Sequence, residues 1–128
     1  MSYYFTKKVN LSFDDAIAKV TEELKKEGFG VLTEIDVQAT FKKKLDIDFR
    51  KYRILGACNP NFAHKAITAE DKIGLMLPCN VVVQETTDGG IEVSAIDPIA
   101  SMISVKNDSL GGVAKEVQAK IKRVIDNM

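Results

Sequence analysis

The residues in this sequence that are best suited to catalysis or ligand binding form a short block, Cys58-Asn59-Pro60-Asn61. This block is followed by His64, the only histidine. A strand is predicted to end at Cys58 and a helix to begin after it, because Asn caps free backbone amides and Pro suits the first helical position. A helix N-terminus stabilises a thiolate and so lowers the pKa of a nearby thiol. Cys58 is therefore a candidate nucleophile, with His64 as a candidate base.

A second polar block, Pro78-Cys79-Asn80, opens a later strand, and Asp97 follows another strand before Pro98. If the strands carrying Cys58 and Cys79 are antiparallel neighbours, the end of one meets the start of the other and the two thiols approach. If those strands are parallel, the thiols stay apart. In the first case Cys79 is a candidate resolving thiol for Cys58, and in either case both cysteines can simply be small buried hydrophobic residues.

A metal site is a weaker alternative for the same region. Cys58, His64 and Cys79 are three ligand types, and Asp97 would be a fourth, but their spacing matches no standard zinc pattern. No C-x-x-C motif is present, so thioredoxin-type chemistry is not indicated. We predict no metal site, and the residues identify no cofactor.

The segment from Lys42 to Arg53 has a local excess of positive charge: six Lys or Arg residues face only Asp46 and Asp48. Such a patch can bind an anion or nucleic acid. The favoured interpretation is a solvated helix face followed by a charged edge strand. Nucleic-acid binding is the less favoured interpretation, because Phe41, Phe49 and Tyr52 suit a core at least as well as a stacking platform.

The first half of the chain predicts the elements that position these residues. A strand over 3–9 is followed by a helix that Ser12 caps, with Phe13, Ile17, Val20 and Leu24 on one face and Gly28 at its end. A strand over 29–37 comes next, and the strand-helix-strand order predicts two parallel strands in one sheet. A weak helix over 38–45 and a strand over 52–58 lead to the Cys58 block.

The second half predicts a short helix over 62–67, a further turn within 69–75, and two strands over 80–86 and 91–96. Asp88-Gly89-Gly90 between these strands is typical of a hairpin turn, so the two strands should be antiparallel neighbours. Asp97-Pro98 starts a short helical turn, and an apolar stripe predicts a last helix over 109–126. The expected fold is α+β: one domain over 1–128, with a mixed sheet of about five strands, two long helices and several short ones. An open α/β sandwich is the alternative.

Composition narrows the class of protein further. The chain has 128 residues, is 45% hydrophobic, and balances 18 basic against 18 acidic residues. A neutral chain of this size can bury a core without disulfides and has no overall field that attracts polyanions. We find no signal peptide and no stretch that would cross a bilayer, so a cytoplasmic location with free thiols and no membrane contact is expected.

The segments Arg53-Ile54-Leu55-Gly56-Ala57-Cys58-Asn59-Pro60, Ala63-His64-Lys65-Ala66, Gly74-Leu75-Met76-Leu77-Pro78-Cys79-Asn80-Val81 and Asp97-Pro98 resemble the bacterial and archaeal family called domain of unknown function 302. The resemblance covers nearly the whole chain. It implies a small α+β domain that is commonly a homodimer and has no established activity. It also singles out the Cys58 and Cys79 blocks together.

Three functions stay open. The first is a dimeric module that binds a small molecule or ion in a pocket formed by Cys58, Asn59, Asn61, His64, Cys79, Asn80 and Asp97, since polar side chains gather at strand ends. The second is a thiol-dependent enzyme or redox sensor that uses Cys58. The third is an anion or nucleic-acid binder that uses Lys42 to Arg53. A surplus of apolar residues, Ile73, Leu75, Met76, Leu77, Ile99, Met102 and Ile103, independently predicts a homodimer interface.

Overall fold

The computed structural model describes residues 2–128 and contains five strands, five α-helices and two 3₁₀ turns within them. The strands are β1 (Tyr4–Val9), β2 (Gly30–Asp36), β3 (Tyr52–Cys58), β4 (Cys79–Glu85) and β5 (Ile91–Ile96). The helices are α1 (Phe13–Lys26), α2 (Val37–Leu45), α3 (Pro60–Ala69), α4 (Pro98–Ser101) and α5 (Gly111–Asp126), and the 3₁₀ turns are Ile73–Met76 and Asp108–Leu110. The α+β class and the five strands predicted from the sequence are confirmed.

The five strands form one sheet in the order β1-β5-β4-β3-β2, and every neighbouring pair is antiparallel. The strand-helix-strand pattern had predicted a mixed sheet, and this prediction is wrong: the sheet is entirely antiparallel. β1 and β2 do run in the same direction, but they occupy opposite edges of the sheet because α1 carries the chain across its whole width. The hairpin around Gly89, whose φ is +83°, then pairs β4 with β5 and completes the antiparallel arrangement.

Helix α1 forms where the amphipathic pattern predicts it. The Ser12 side chain accepts a hydrogen bond from the Asp15 backbone amide at 3.1 Å, which satisfies one of the free donors at the helix start. Val20 and Leu24 are fully buried, and the helix ends before Gly28, whose φ of +84° suits only glycine. Helices α1 and α5 pack together and both contact the sheet.

The main core lies between the sheet and these two long helices. It contains seventeen buried residues, among them Leu55, Val81, Val93 and Ile121. A second cluster, which we call the satellite cluster, consists of buried Ala66, Ile73 and Leu110 with half-buried Leu77, Met102 and Val105. It joins α3, both 3₁₀ turns and the segment after α4.

The opposite side of the sheet, which we call the outer face, is largely uncovered in the described chain. Side chains alternate along a strand, so the pairing places Ile35, Ile54, Val82, Ser94 and Thr6 in one row across all five strands of this face. Each is half-buried or exposed. Among the described residues no helix is long and apolar enough to cross a membrane.

Candidate functional site

The Cys58 and Cys79 blocks meet at one end of the sheet. β3 and β4 are antiparallel neighbours, and Cys79 lies directly opposite Ala57, one residue from Cys58. β3 ends at Cys58, where Pro60 begins α3, and Pro78 leads the chain into β4. The antiparallel arrangement, which the sequence had left open, thus makes the two blocks adjacent.

A cavity of about 320 Å³ lies beside these blocks, between the strand ends, α3, α5 and the first 3₁₀ turn. None of its twenty lining residues is charged, and apart from the two thiols only Thr33 and Asn59 carry a polar side chain. The lining consists of Phe29, Leu32, Thr33, Ala57, Cys58, Asn59, Phe62, Ala63, Ala66, Ile67, Gly74, Leu77, Pro78, Cys79, Pro98, Met102, Leu110, Val113, Ala114 and Val117. The site is an apolar chamber with very few hydrogen-bonding groups.

The cavity lies at the boundary between the two hydrophobic clusters. Phe29, Ala57 and Val117 in its wall belong to the main core, whereas Ala66 and Leu110 belong to the satellite cluster. Small residues at facing positions, such as Ala66 on α3 and Ala114 on α5, leave the space between the clusters unfilled. The chamber thus lies between two packed units.

The two thiols differ in their surroundings. Cys79 is buried, and burial, with a smaller contribution from the nearby Cys58, raises its pKa to about 11. It therefore stays protonated near neutral pH, and a protonated thiol is a poor nucleophile and a poor metal ligand. Cys58 is half-buried. The chemistry of this pair is that of one buried, inert thiol beside a more accessible one.

Gly56 permits a close approach next to this site. A side chain at this position would overlap the Thr33 hydroxyl and come within 2.8 Å of the Pro78 ring. Glycine is thus required so that β2 and the turn before β4 can pack against β3. A glycine inside a strand predicts close packing, but the sequence does not identify the neighbour.

The predicted pocket residues fall into several places. Cys58, Asn59 and Cys79 line the cavity. Asn61 and His64 line a separate groove on the outside of α3, together with Lys65 and Glu116. His64 thus does not share the cavity with the thiols.

Asn59 lies between the two spaces and lines both. Its side chain does not cap α3, contrary to the expectation, and its amide instead donates a hydrogen bond to the Glu27 carbonyl oxygen at 3.3 Å. The groove beside it contains Glu27, whose pKa is lowered mainly by its hydrogen bonds with Arg123. Asn59 therefore ties the start of α3 to the end of α1.

The remaining two predicted residues point elsewhere. Asn80 is exposed and lies opposite Gly56, on the outer face of the sheet. Asp97 caps α4 by accepting a hydrogen bond from the Ile99 backbone amide at 3.0 Å. Its carboxylate also accepts a hydrogen bond from the Gln118 side-chain amide at 3.1 Å. Asp97 thus joins α4 to α5, as its position before Pro98 predicts for a cap.

Two of the six basic side chains in the segment from Lys42 to Arg53 form ion pairs. Lys42 forms ion pairs with Asp46 and Asp48 at 3.2 and 3.4 Å. Arg53 forms ion pairs with Glu34 and Asp36.

Arg50 is also engaged: its guanidinium lies 4.5 Å from the centre of the Phe49 ring and donates to the Gln84 side chain. Phe49 in turn packs against Phe41 and Tyr52. The aromatic side chains therefore form a small cluster that joins α2 to β3. Within residues 2–128 no three His, Cys, Asp or Glu side chains are close enough together to hold a metal ion.

Sequence reasoning missed most of the cavity wall because that wall is apolar. The sequence pattern does not distinguish the following wall residues from ordinary core residues: Phe62, Ala63, Leu77, Val113 and Val117. One signal was present: Ala63 and Ala66 are three residues apart and therefore share one face of α3, where larger side chains would fill the space.

The chain matches the family described as "Domain of unknown function DUF302" over residues 5–128. It is also similar to a solved structure titled "Crystal structure of uncharacterized conserved protein DUF302 from Bacillus stearothermophilus", with a TM-score of 0.91, 26% sequence identity, and 98% of each chain covered. No curated protein matches the chain.

Proposed function

The chain belongs to the DUF302 family, and from that premise we propose that it is a binding module that holds a small, neutral, largely apolar molecule in the cavity beside Cys58 and Cys79. The observation that carries the proposal is a chamber of about 320 Å³ without one charged wall residue. Binding pockets for small molecules typically begin at about 300 Å³ and are mostly apolar with a few polar groups.

The lining selects against charged ligands. An ion moved into this chamber would lose its hydration and find only Thr33, Asn59 and the two thiols as polar partners. A neutral apolar molecule loses little on entry and gains about 25 cal/mol for each Å² of surface removed from water. Binding without catalysis is the function that such a wall favours.

The thiol-dependent alternative has less support. It needs Cys79 as a resolving thiolate, whereas burial raises the pKa of this thiol to about 11. It also needs a base near Cys58, whereas His64 lines the outer groove and not the cavity. Anion binding by the basic segment is opposed by the ion pairs of Lys42 and Arg53.

Benzene is a suitable first probe, since dry apolar cavities bind it. In ¹⁵N-labelled protein, we expect benzene to shift the amide signals of residues 57–59, 62–67 and 113–117 in a saturable manner. Ala63→Phe places a ring in the cavity and should remove these shifts. Ala69→Phe, on the exposed end of the same helix, is the matched control and should keep them.

Three results would contradict this proposal. The first is the absence of shifts in a folded wild-type protein, and the second is shifts spread over the surface. The third is shifts that persist in a folded Ala63→Phe variant. Circular dichroism and thermal unfolding of both variants establish that each has folded.

We also propose that the chain forms a homodimer through the outer face. Among the apolar residues predicted to form the interface, Ile73 is buried in the satellite cluster, whereas Leu75, Met76 and Ile103 are exposed. The outer face supplies a different reason. Its central row is uncharged; towards one end of the strands Lys8 lies opposite Glu92, and Arg50 lies over Tyr52 and donates to Gln84.

The size of the outer face suits a second copy of the chain. Five strands about 4.8 Å apart and about 20 Å long give roughly 500 Å² of flat sheet, comparable to one side of a standard interface of about 800 Å² of accessible surface. The uncharged central row can meet its own copy across a two-fold axis without like-charge repulsion. Sheets pack face to face in this way in sandwiches.

Sedimentation equilibrium tests the dimer. At tens of micromolar we expect twice the chain mass of 14.1 kDa. Val82→Glu, in the central row, should give the single-chain mass, whereas Ala119→Glu on the exposed side of α5 should remain a dimer. A wild-type protein of single-chain mass, or a dimeric Val82→Glu, would overturn the proposal.

A further inference from the structure

Part of the cavity wall belongs to the outer face of the sheet. Thr33 lies opposite Gly56, and a side chain at Gly56 would overlap the Thr33 hydroxyl and come close to the Pro78 ring. Gly56 is on the same side of β3 as Ile54, two residues away, which belongs to the central row of the outer face. Thr33 and Pro78 therefore meet on the outer face, and both line the cavity.

This part of the wall is exposed to solvent in a single chain. Thr33 and its neighbour Leu32 are exposed, and Leu32 is 70% exposed. The strand register, continued by one residue between β4 and β5, defines what we call the cavity row: Thr33, Gly56, Asn80, Ile96 and Tyr4. Thr33 and Tyr4 lie on opposite edge strands, so four strand spacings, or about 19 Å, separate them within one chain.

Charges at the other end of the outer face favour one orientation of a second copy. The row there contains Glu92 on β5 and Tyr52 on β3, with the Arg50 guanidinium over the Tyr52 ring. A two-fold axis along the middle strand, β4, puts β5 of each copy over β3 of the other, so Glu92 meets Arg50 of the second copy. An axis across the strands, at the level of the central row, would instead bury the Glu92 carboxylate against Ile96, which is unfavourable.

The axis along β4 also places β1 of the second copy over β2 of the first, because these are the two edge strands. Each row stays at its own level, so Tyr4 of the second copy lies over Thr33. Packed sheets are about 10 Å apart, and the side chains of their facing sides interdigitate. Tyr4 is 44% exposed in the single chain, so its ring is available to fill this space.

We propose that the second copy completes the ligand site: its Tyr4 covers the exposed part of the cavity wall at Thr33, so that ligand binding and dimer formation strengthen each other. This inference rests on the proposed function and adds what controls the site. A ring that removes about 40 Å² of ligand surface from water, at about 25 cal/mol for each Å², tightens binding about fivefold. By linkage, each bound ligand tightens the dimer by the same factor.

Val82→Glu tests the coupling, since Val82 is on the outer face and does not line the cavity. In an NMR titration, the folded single-chain variant should have a dissociation constant for benzene about fivefold higher than that of the wild-type dimer. Ala119→Glu is the control and should keep the wild-type value. If Val82→Glu fails to fold, dilution of the wild type below its dimer dissociation constant makes the same comparison.

A mixed dimer tests Tyr4 itself. ¹⁵N-labelled wild-type chains are mixed with a large excess of unlabelled Tyr4→Ala chains, and benzene shifts are followed at residues 57–59 of the labelled copy. The labelled chain keeps its own Tyr4, so binding that is weaker by about fivefold must come from the loss of the ring on the second copy. An excess of unlabelled wild type is the control.

Wild-type affinity in the mixed dimer would overturn the inference. If Tyr4→Ala sediments at the single-chain mass, the expectation for Val82→Glu applies to it, and wild-type affinity of that single chain would overturn the inference in the same way.

The outcomes also separate the inference from the proposals on which it rests. If the wild type is a dimer that binds benzene, but single-chain Val82→Glu binds it equally well, only the inference fails. If benzene does not bind to the wild type, the proposed binding function fails as well. If the wild type has the single-chain mass, the proposed dimer fails together with the inference.

Discussion

The main core and the satellite cluster contain residues that are equally well buried, but they differ in what supports them. The main core has seventeen buried residues held between a five-stranded sheet and two long helices. The satellite cluster has three buried residues, held by a helix and two short turns. Burial by itself therefore does not indicate how firmly a region is held, and the cavity lies where the weakly supported unit meets the strong one.

Leu55→Ala should have the largest effect, because it creates a cavity inside the main core. Leu55 is 1% exposed on a central strand, and such a truncation costs about 3–4 kcal/mol. Urea unfolding measures the loss as one global transition. Leu45→Ala, at a position 62% exposed, is the control and should cost less than about 0.5 kcal/mol. A loss below about 1.5 kcal/mol for Leu55→Ala would remove the distinction between the two clusters.

Raising the pH should weaken the main core through Cys79. Its pKa is raised from 9.0 to about 11, so the unfolded chain loses this proton at a lower pH than the folded chain does. The stabilisation is complete below pH 9 and is lost as the pH rises towards 11. Two pKa units correspond to about 2–3 kcal/mol.

Urea unfolding at pH 8, 9.5 and 11 should therefore show a steeper loss of stability for the wild type than for Cys79→Ala, in which this titration is absent. Lys and Tyr side chains titrate in both proteins, so their contributions cancel when the two free energies of unfolding are subtracted. Cys58→Ala, with the half-buried thiol removed, should retain the steep loss. Equal slopes for wild type and Cys79→Ala would show that this thiol is not desolvated.

Ile73→Ala tests the satellite cluster at a residue as buried as Leu55. We expect a loss of about 2 kcal/mol, at the low end for such a truncation, and we expect it to appear as local opening. Hydrogen exchange should accelerate at the end of α3, for example at the Glu70 backbone amide, which donates to the Ala66 carbonyl oxygen, while the sheet stays protected. Leu75→Ala, at an 85% exposed position of the same turn, is the control. Faster exchange throughout the sheet would mean that the clusters unfold as one unit.

The smallest effect is expected at the ion pair that joins the two long helices of the main core. Glu27 accepts from Arg123 at 2.9 Å, and Arg123 is 52% exposed, so Glu27→Gln should cost only about 0.5–1 kcal/mol. Because the Glu27 pKa is lowered, this contribution is present above about pH 4.5 and is lost as the pH falls through the folded-state value.

Urea unfolding at pH 7 and pH 3 measures this difference. Glu22→Gln, on the exposed side of α1, is the control and should change stability less. A pH-independent difference between wild type and Glu27→Gln would contradict the ion-pair interpretation.

Local patterns in the sequence predicted the elements closely, because each rests on short-range physics. The stripe from Phe13 to Leu24 and the Ser12 cap specify α1, and the observed helix runs from Phe13 to Lys26. The strand over 52–58 has exactly the predicted bounds. The prediction that Asn59 caps α3 is wrong, because its side-chain amide donates to the carbonyl oxygen of Glu27, thirty-two residues away in the sequence.

The candidate site was half predictable. The polar blocks at the strand ends lie beside the cavity, and Cys58, Asn59 and Cys79 line it. The separation of His64 from the thiols could not be read from the sequence, because it depends on which side of α3 faces the sheet. The part of the apolar wall that Val113 and Val117 form could not be predicted either. A residue beside a cavity and a residue inside a packed core have the same type and spacing in the sequence.

The sequence by itself determined the family, the α+β class, the five strands and the blocks that flank the cavity, since periodicity, caps and motifs act over a few residues. Only the tertiary structure decided that all strand pairs are antiparallel, that Cys79 lies beside Cys58 with a raised pKa, and that an apolar chamber separates two clusters. The physical reason is that register, desolvation and empty volume arise from residues distant along the chain.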